Sequence, residues 1–267
     1  MANTLYSLSR SAANNKSDVL KGTPHDDVLH GGLGHTTFYG GLGDDIYYSK
    51  NADDTIVEYA NEGNDTVYAD TTFTLPTHVE NLTLEGNGNT FGFGNNSNNI
   101  LIGNSGNNRL SGEEGNDFLY GMGGNDTLSG GNGNDHLNGG DGDDYLAGGL
   151  GSDTIITGAG RDTVAFTAAD IREGSIDRVV EFDPNTDKLD LSGMRSLLTG
   201  SNANLSWSKM FVDKDPEVIL QKTVLISSLI QSSRLLLIVQ QVQAVAPFLP
   251  NSILAGWKHP ISSAKDP

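Results

Sequence analysis

Residues 112–165 read GEEGNDFLY GMGGNDTLS GGNGNDHLN GGDGDDYLA GGLGSDTII TGAGRDTVA, which is six nine-residue units without a gap. The sixth position of every unit is Asp, and these residues are Asp117, Asp126, Asp135, Asp144, Asp153 and Asp162. The eighth position is always aliphatic and holds Leu119, Leu128, Leu137, Leu146, Ile155 and Val164. Six units in one phase predict a stacked repeat architecture.

The residue types of the unit predict its local structure. Gly at the first, second and fourth positions allows a tight turn and a close approach of backbones. The last three residues have room for only a short strand, with the eighth side chain turned inward. One unit buries a single large side chain, so units must stack to be stable. We therefore predict an all-β fold, a parallel β-roll solenoid, followed by an irregular C-terminal tail.

The Asp columns predict a metal site. If two units form one coil, each Asp lies about 4.8 Å from the Asp two units later. Carboxylates at that spacing repel and cannot all stay ionised without a cation between them. Ligands that are all oxygens favour Ca²⁺, which tolerates looser geometry than Mg²⁺. The pairs are Asp117 with Asp135, Asp126 with Asp144, Asp135 with Asp153, and Asp144 with Asp162.

The same phase recurs more weakly near the N-terminus. Residues 22–57 read GTPHDDVLH GGLGHTTFY GGLGDDIYY SKNADDTIV, and a two-residue insertion then leads to Asp65. Asp27 and Asp45 form a fifth candidate calcium pair. Thr36 interrupts the other column, so we expect no full site between it and Asp54. These coils could also be structural repeats without metal.

The repeats resemble a known family. The unit is similar to the repeats-in-toxin (RTX, haemolysin-type) calcium-binding nonapeptide, which forms a parallel β-roll. VENLTL at 79–84 is similar to linkers between such blocks, and DRVVEFDPNTDKLDLS at 177–192 to the segment after the roll in the C-terminal domain of serralysin-type proteins. The resemblance implies extracellular calcium and a type I secretion exporter as partner, which reads an uncleaved C-terminal signal.

Composition divides the chain near Gly200, because 33 of the 34 Gly and a net charge of −20 lie in the first 200 residues. We predict an N-terminal lead-in, a degenerate repeat block, an inter-block strand segment, the main β-roll, a capping segment and a tail, at 1–20, 21–67, 68–93, 94–165, 166–200 and 201–267 respectively. The main roll begins with two units in which Asn99 and Asn108 replace Asp. The tail is interpreted as a secretion signal or a frameshifted end.

Other classes of function find no support in the sequence. The absence of Cys excludes disulfides and thiolate metal sites, and a net charge of −18 argues against a nucleic-acid partner. The six histidines form no H-E-x-x-H motif, and no G-x-S-x-G elbow occurs. The first residues, MANTLYSLSRSAANN, contain no apolar run typical of a cleaved signal. We therefore expect no catalytic site.

The sequence thus predicts a secreted, extracellular, non-catalytic protein that binds Ca²⁺ and folds on export. One alternative is the repeat module of a larger exoenzyme such as a protease, a lipase or an alginate epimerase. Another is a fragment of a calcium-dependent adhesin or toxin. Contact with a membrane or a polysaccharide stays open.

Overall fold

The computed structural model describes residues 3–6, 17–167, 170, 175–193 and 217–222. Within these ranges the chain forms 21 β-strands and no helix. None of the described residues therefore lies in a helix that could cross a membrane. The strands belong to three sheets, which we number by size.

The first sheet contains the eleven odd-numbered strands in chain order. They are β1 (Asn3–Tyr6), β3 (Asp27–His30), β5 (Ile46–Ser49), β7 (Thr66–Ala69), β9 (Asn81–Leu84), β11 (Ile100–Ile102), β13 (Phe118–Tyr120), β15 (His136–Asp141), β17 (Thr154–Ala159), β19 (Ser175–Val180) and β21 (Glu217–Lys222). Neighbours run parallel from β1 to β19, and only β21 is antiparallel to its neighbour.

The even-numbered strands form the other two sheets, also with parallel neighbours. The seven strands of the second sheet are β8 (Phe73–Thr74), β10 (Phe91–Phe93), β12 (Arg109–Glu114), β14 (Thr127–Asn132), β16 (Tyr145–Leu150), β18 (Thr163–Thr167) and β20 (Lys188–Gly193). The three strands of the third sheet are β2 (Asp18–Lys21), β4 (Thr36–Tyr39) and β6 (Thr55–Val57).

The strand register shows that two nine-residue units make one coil. Leu119 pairs with Leu137 in the first sheet, and Leu128 pairs with Leu146 in the second. Consecutive units therefore place their strands in different sheets, and each strand lies on the strand two units later. The predicted all-β parallel β-roll is confirmed.

The core is a double column of eighth-position side chains, as predicted. These residues are Leu29, Phe38, Tyr47, Ile56, Val67, Leu101, Leu110, Leu119, Leu128, Leu137, Leu146, Ile155 and Val164, none more than 4% exposed. Each coil contributes two of them, so the apolar interior is one side chain deep from each sheet. Burial of this column drives the stacking of units that could not fold alone.

Glycines are required where coils approach most closely. Gly133, at the fourth position of its unit, has φ of +139°, a conformation that other residues rarely adopt. A Cβ there would also collide with the carbonyl oxygen of Gly115 in the preceding coil. Gly130, at the first position, lacks a positive φ and is required for space alone.

Residues 68–93 do not interrupt the roll. The strands predicted there form, and Val79, Leu82 and Leu84 are buried in the same core. Thr66 pairs with Asn81, and Asn81 pairs with Ile100, so the first sheet continues through the segment. A shortened coil thus joins the N-terminal block to the main β-roll.

The C-terminal side of the roll carries one more coil and an antiparallel strand. Val179 pairs with Ile155, and Leu189 pairs with Val164. Strand β21 then pairs with β19 over six residues, although the sequence placed 217–222 in the tail. The other tail residues, 201–216 and 223–267, lie outside the described residues, and with them the predicted irregular structure and secretion signal.

Candidate metal centre

The structure brings together every aspartate pair that the sequence predicts. In each pair the backbone N–H of the first Asp donates to Oδ1 of the Asp 18 residues later, from Asp117 to Asp135 at 2.8 Å. The other pairs are Asp126 to Asp144 at 2.7 Å, Asp135 to Asp153 at 3.0 Å, Asp144 to Asp162 at 2.9 Å and Asp27 to Asp45 at 2.7 Å. One carboxylate oxygen of each later Asp therefore ties two coils together.

The second carboxylate oxygen, Oδ2, differs from Oδ1 in its hydrogen bonding. Among the described residues, no hydrogen-bond donor reaches the buried Oδ2 atoms of Asp45, Asp117, Asp126, Asp135, Asp144 and Asp162. Their side chains lie inside the roll, since none of these residues is more than 3% exposed. A buried charged oxygen without a partner is costly, and its repetition at one repeat position indicates an unmet need for positive charge.

Burial shifts the acidity of these groups in the absence of an ion. It raises the pKa of Asp117 and Asp126 to about 7, and that of Asp135 and Asp162 to about 6. Desolvation of the charged form outweighs the backbone hydrogen bond that each Asp accepts. The carboxylates of Asp117 and Asp126 would therefore be only partly ionised at neutral pH unless a cation compensates their charge.

A carbonyl oxygen of the next coil lies near four of these oxygens, the Oδ2 atoms of Asp117, Asp126, Asp135 and Asp144. A Cβ built on Gly112 would lie within 3.0 Å of both Asp117 Oδ2 and the carbonyl oxygen of Gly130. The same arrangement recurs at Gly121, Gly130 and Gly139, each beside its own Asp and a carbonyl of the following coil. A carboxylate oxygen and a carbonyl oxygen placed this close repel each other, whereas a cation beside them would attract both.

The two Asn units provide an internal comparison. Asn108 Oδ1 accepts a hydrogen bond from the N–H of Asn104 at 2.7 Å, and its Nδ2 donates to the carbonyl oxygen of Thr90 at 3.1 Å. Asn99 likewise donates from Nδ2 to the carbonyl oxygen of Glu80 at 3.1 Å. An amide supplies a donor that a carboxylate lacks, so these coils are satisfied by protein groups alone.

Asp54 behaves like the Asn units. Its Oδ1 accepts from the N–H of Thr36 at 2.7 Å, while its Oδ2 accepts from Ser49 Oγ at 2.8 Å and from the N–H of Asn51 at 3.2 Å. Neither oxygen needs a further partner. The expectation that Thr36 and Asp54 form no full metal site stays a prediction, and this geometry agrees with it.

Four carboxylates that sequence reasoning did not include extend the columns. Asp45 N–H donates to Asp65 Oδ1 at 2.8 Å, and Asp65 N–H donates to Glu80 Oε2 at 2.9 Å. At the other end, Asp177 accepts from Asp153 and Asp187 from Asp162, at 3.0 and 3.1 Å. Their offsets are 20, 15, 24 and 25 residues instead of 18, which hid them from a search at fixed spacing.

The donor set fits calcium. It consists of carboxylate and backbone carbonyl oxygens, which Ca²⁺ accepts in six to eight positions and flexible geometry. Arg161, the one basic residue between 111 and 164, pairs with exposed Asp143 at 2.5 Å and leaves buried Asp162 unneutralised. The residues that would hold Ca²⁺ are thus the paired aspartates named above with the carbonyls of the adjoining glycine turns.

Comparison with known families agrees with this geometry. The RTX calcium-binding nonapeptide repeat, in its four-copy form, matches residues 12–38, 21–56, 93–128 and 129–164. These ranges include both repeat blocks and all eight predicted ligands. No curated protein matches the chain.

Proposed function

The chain is an RTX repeat protein with a calcium-binding β-roll, and from this premise we propose that it is a secreted, non-catalytic protein whose repeats fold as they bind Ca²⁺ after export. The observation that carries the proposal is the row of buried aspartate oxygens to which no described residue donates, four of them beside a carbonyl oxygen of the next coil. A cation would supply the positive charge that the buried carboxylate oxygen lacks.

Calcium and folding are coupled in this account. The five pairs form only when two coils stack, so the unfolded chain has no preformed site and the ion binds the folded form. Binding free energy then becomes folding free energy. Residues 111–164 carry ten acidic residues and one basic residue, so the ion-free chain also repels itself.

The coupling of folding to calcium also bears on export. Extracellular calcium modules bind with dissociation constants of about 10⁻⁴–10⁻³ M, far above the calcium concentration of a cytosol. The chain would stay unfolded inside the cell, as passage through a narrow exporter requires, and would fold outside. A type I secretion system is the proposed exporter.

The proposal that the protein is non-catalytic rests on the positions and hydrogen bonds of the aspartate carboxylates. In the main β-roll the later Asp of each pair accepts a backbone N–H of the preceding coil through Oδ1. The Oδ2 atoms of Asp117, Asp126, Asp135 and Asp144 lie beside a carbonyl oxygen of the next coil. Groups held in this way serve as ligands and lie away from bulk solvent and substrate. We therefore propose a binding protein whose activity is its calcium-dependent structure.

An export experiment tests the proposal. The full chain would be expressed in a bacterium with and without a type I exporter, in medium containing millimolar Ca²⁺, and the medium would be assayed for folded, protease-resistant protein. We expect such protein only when the exporter is present. Equal retention in the cell with and without the exporter would contradict secretion, and a protease-resistant intracellular form would contradict folding after export.

A further inference from the structure

Glu58 occupies a position that is glycine in most of the repeats. It lies 18 residues after Gly40, which begins its own unit, and so corresponds to a first-position glycine of the next coil. Its side chain reaches back to Gly40 in the preceding coil. A Cβ built on Gly40 would lie within 3.0 Å of Asp45 Oδ2, Tyr47 Oη and Glu58 Oε1.

Glu58 lies beside two members of the aspartate column. Asp45, Glu58 and Asp65 each place a carboxylate oxygen within 4.8 Å of the others. The three residues are 1%, 7% and 0% exposed, so the cluster is inside the roll. Three carboxylates here replace the two that face each other between coils of the main β-roll.

Each carboxylate uses only one oxygen in hydrogen bonds. Asp45 Oδ1 accepts from Asp27 N–H at 2.7 Å, and Asp65 Oδ1 accepts from Asp45 N–H at 2.8 Å. Glu58 Oε1 accepts from Gly40 N–H at 3.1 Å and from the hydroxyl of Tyr47. The other oxygen of all three carboxylates is buried and receives no donor from the described residues.

A structural role for Glu58 explains only part of this arrangement. Tyr47 stands in an otherwise apolar core column, and its buried hydroxyl needs an acceptor. Glu58 Oε1 provides that acceptor, but a neutral Gln would do so equally well. The charged groups that act on Asp45, Glu58 and Asp65 are themselves acidic, namely Asp26, Asp27, Glu62 and Glu80 together with the cluster's own members.

We propose that Asp45, Glu58 and Asp65 form a three-carboxylate calcium site that binds the ion more tightly than the two-aspartate sites of the main β-roll and fills first. The inference rests on the proposed calcium function and extends it to a glutamate outside the nonapeptide pattern. Calcium affinity rises with the number of charged ligands and with the rigidity of the site. The Tyr47 hydroxyl makes the site more rigid, because its hydrogen bond fixes the Glu58 carboxylate beside Gly40.

The test uses Glu58→Gln in the full chain. Gln keeps an oxygen that can accept from Gly40 and Tyr47, so the variant removes charge while preserving the hydrogen bonds. The matched control is Glu114→Gln, because Glu114 is an exposed glutamate on β12 whose side chain accepts a hydrogen bond from Asn132 and, among the described residues, from no other group. Calcium binding of both variants and of the unmodified chain would be measured by isothermal titration, starting from metal-free protein.

We expect the unmodified chain and Glu114→Gln to show one ion bound about tenfold more tightly than the rest, since affinity depends on ligand charge. Glu58→Gln should lose this tight class and keep the weaker ones. Identical stoichiometry and affinities in all three proteins would overturn the proposed site while leaving the calcium function intact. No binding by the unmodified chain would overturn both.

A second variant guards against misfolding of the first. Tyr47→Phe keeps the aromatic ring in the core and removes only the hydroxyl beside Glu58. Terbium bound next to a tyrosine emits when the ring is excited, so the first equivalent of terbium should emit strongly in the unmodified chain and at least severalfold more weakly in Tyr47→Phe. Equal emission at the first equivalent in both proteins would overturn the placement of the tightest site.

Discussion

The backbone N–H of Asp117 donates a 2.8 Å hydrogen bond to Oδ1 of Asp135, 18 residues later, while Oδ2 of Asp135 is buried and receives no donor from the part of the chain that the structure describes. The Asp135 side chain thus bonds its coil to the preceding one through Oδ1. Its Oδ2 lies near the carbonyl oxygen of Gly148 without a positive charge beside it. Because a cation would compensate the charge of the second oxygen, we expect the fold to depend on calcium.

The central aspartates should matter more than the terminal ones. Asp135 pairs with both Asp117 and Asp153, whereas Asp117 pairs with one carboxylate and with Asn99. Asp135→Asn should therefore raise the calcium midpoint of folding more than Asp117→Asn, in titrations followed by circular dichroism. Asp141→Asn, at an exposed site of the same roll, serves as control and should leave the midpoint unchanged. Equal shifts for Asp117→Asn and Asp135→Asn would refute the pairing.

Acid should stabilise the ion-free fold. The pKa of Asp117 and of Asp126 is about 7 in the folded, ion-free chain, against 3.8 for an ordinary Asp. These groups stabilise the folded state fully below pH 3.8, and that contribution is lost as the pH rises through 7. Circular dichroism in calcium-free buffer should therefore show more β-structure at pH 5 than at pH 8.

Two controls accompany the pH experiment. The double variant Asp117→Asn with Asp126→Asn should show a weaker pH dependence, because it lacks two of the titrating groups. With calcium present the direction should reverse, since protons compete with the ion for the carboxylates. A calcium-free chain that is more stable at pH 8 than at pH 5 would contradict the burial of these groups.

Gly130, at the first position of its unit, should tolerate no side chain. A Cβ on Gly130 would lie within 3.0 Å of Asp135 Oδ2 and of the carbonyl oxygen of Gly148. Gly130→Ala should cost about 1–3 kcal/mol of folding free energy in calcium, as overpacking does, and remove one bound ion. Gly123→Ala is the matched control, because its nearest neighbour is an Asp141 atom at 3.9 Å. A Gly130→Ala chain with unchanged ion stoichiometry would show that no ion binds beside Gly130.

The antiparallel strand β21 should contribute to stability. Its six residues pair with β19 and cover an edge of the first sheet that would otherwise be open. A chain shortened after Val224, where the compact unit ends, should keep the calcium midpoint of the full chain. A chain shortened after Gly200 loses β21 and should require more calcium to fold. Identical midpoints for the two shortened chains would mean that β21 adds nothing.

The regular part of the roll could be predicted from sequence because its code is local. A fixed offset of 18 residues places Leu119 on Leu137 and Asp117 on Asp135, so residue identity and spacing together determine register. The irregular coils depend on which backbone segments absorb an insertion or a deletion. Glu80 lies in the aspartate column because one coil has only 15 residues. A search for a fixed period does not predict this shorter coil.

Other features depend on side-chain packing in three dimensions. Glu58 stands at a glycine position, and its role appears only when its carboxylate folds back beside Tyr47. Strand β21 has no repeat phase and pairs in the opposite direction from its neighbours. Sequence periodicity carries no information about either contact, because both lie outside the nine-residue code.

The most direct test of the account is a calcium titration of the metal-free chain, followed by far-ultraviolet circular dichroism at neutral pH, with magnesium as the parallel titrant. The account predicts little β-structure in chelator and a cooperative gain of it at calcium concentrations of about 10⁻⁴–10⁻³ M. Magnesium at equal concentrations should substitute poorly, because it demands a stricter octahedral geometry. Identical spectra with chelator and with millimolar calcium would contradict the claim that the ion completes the fold.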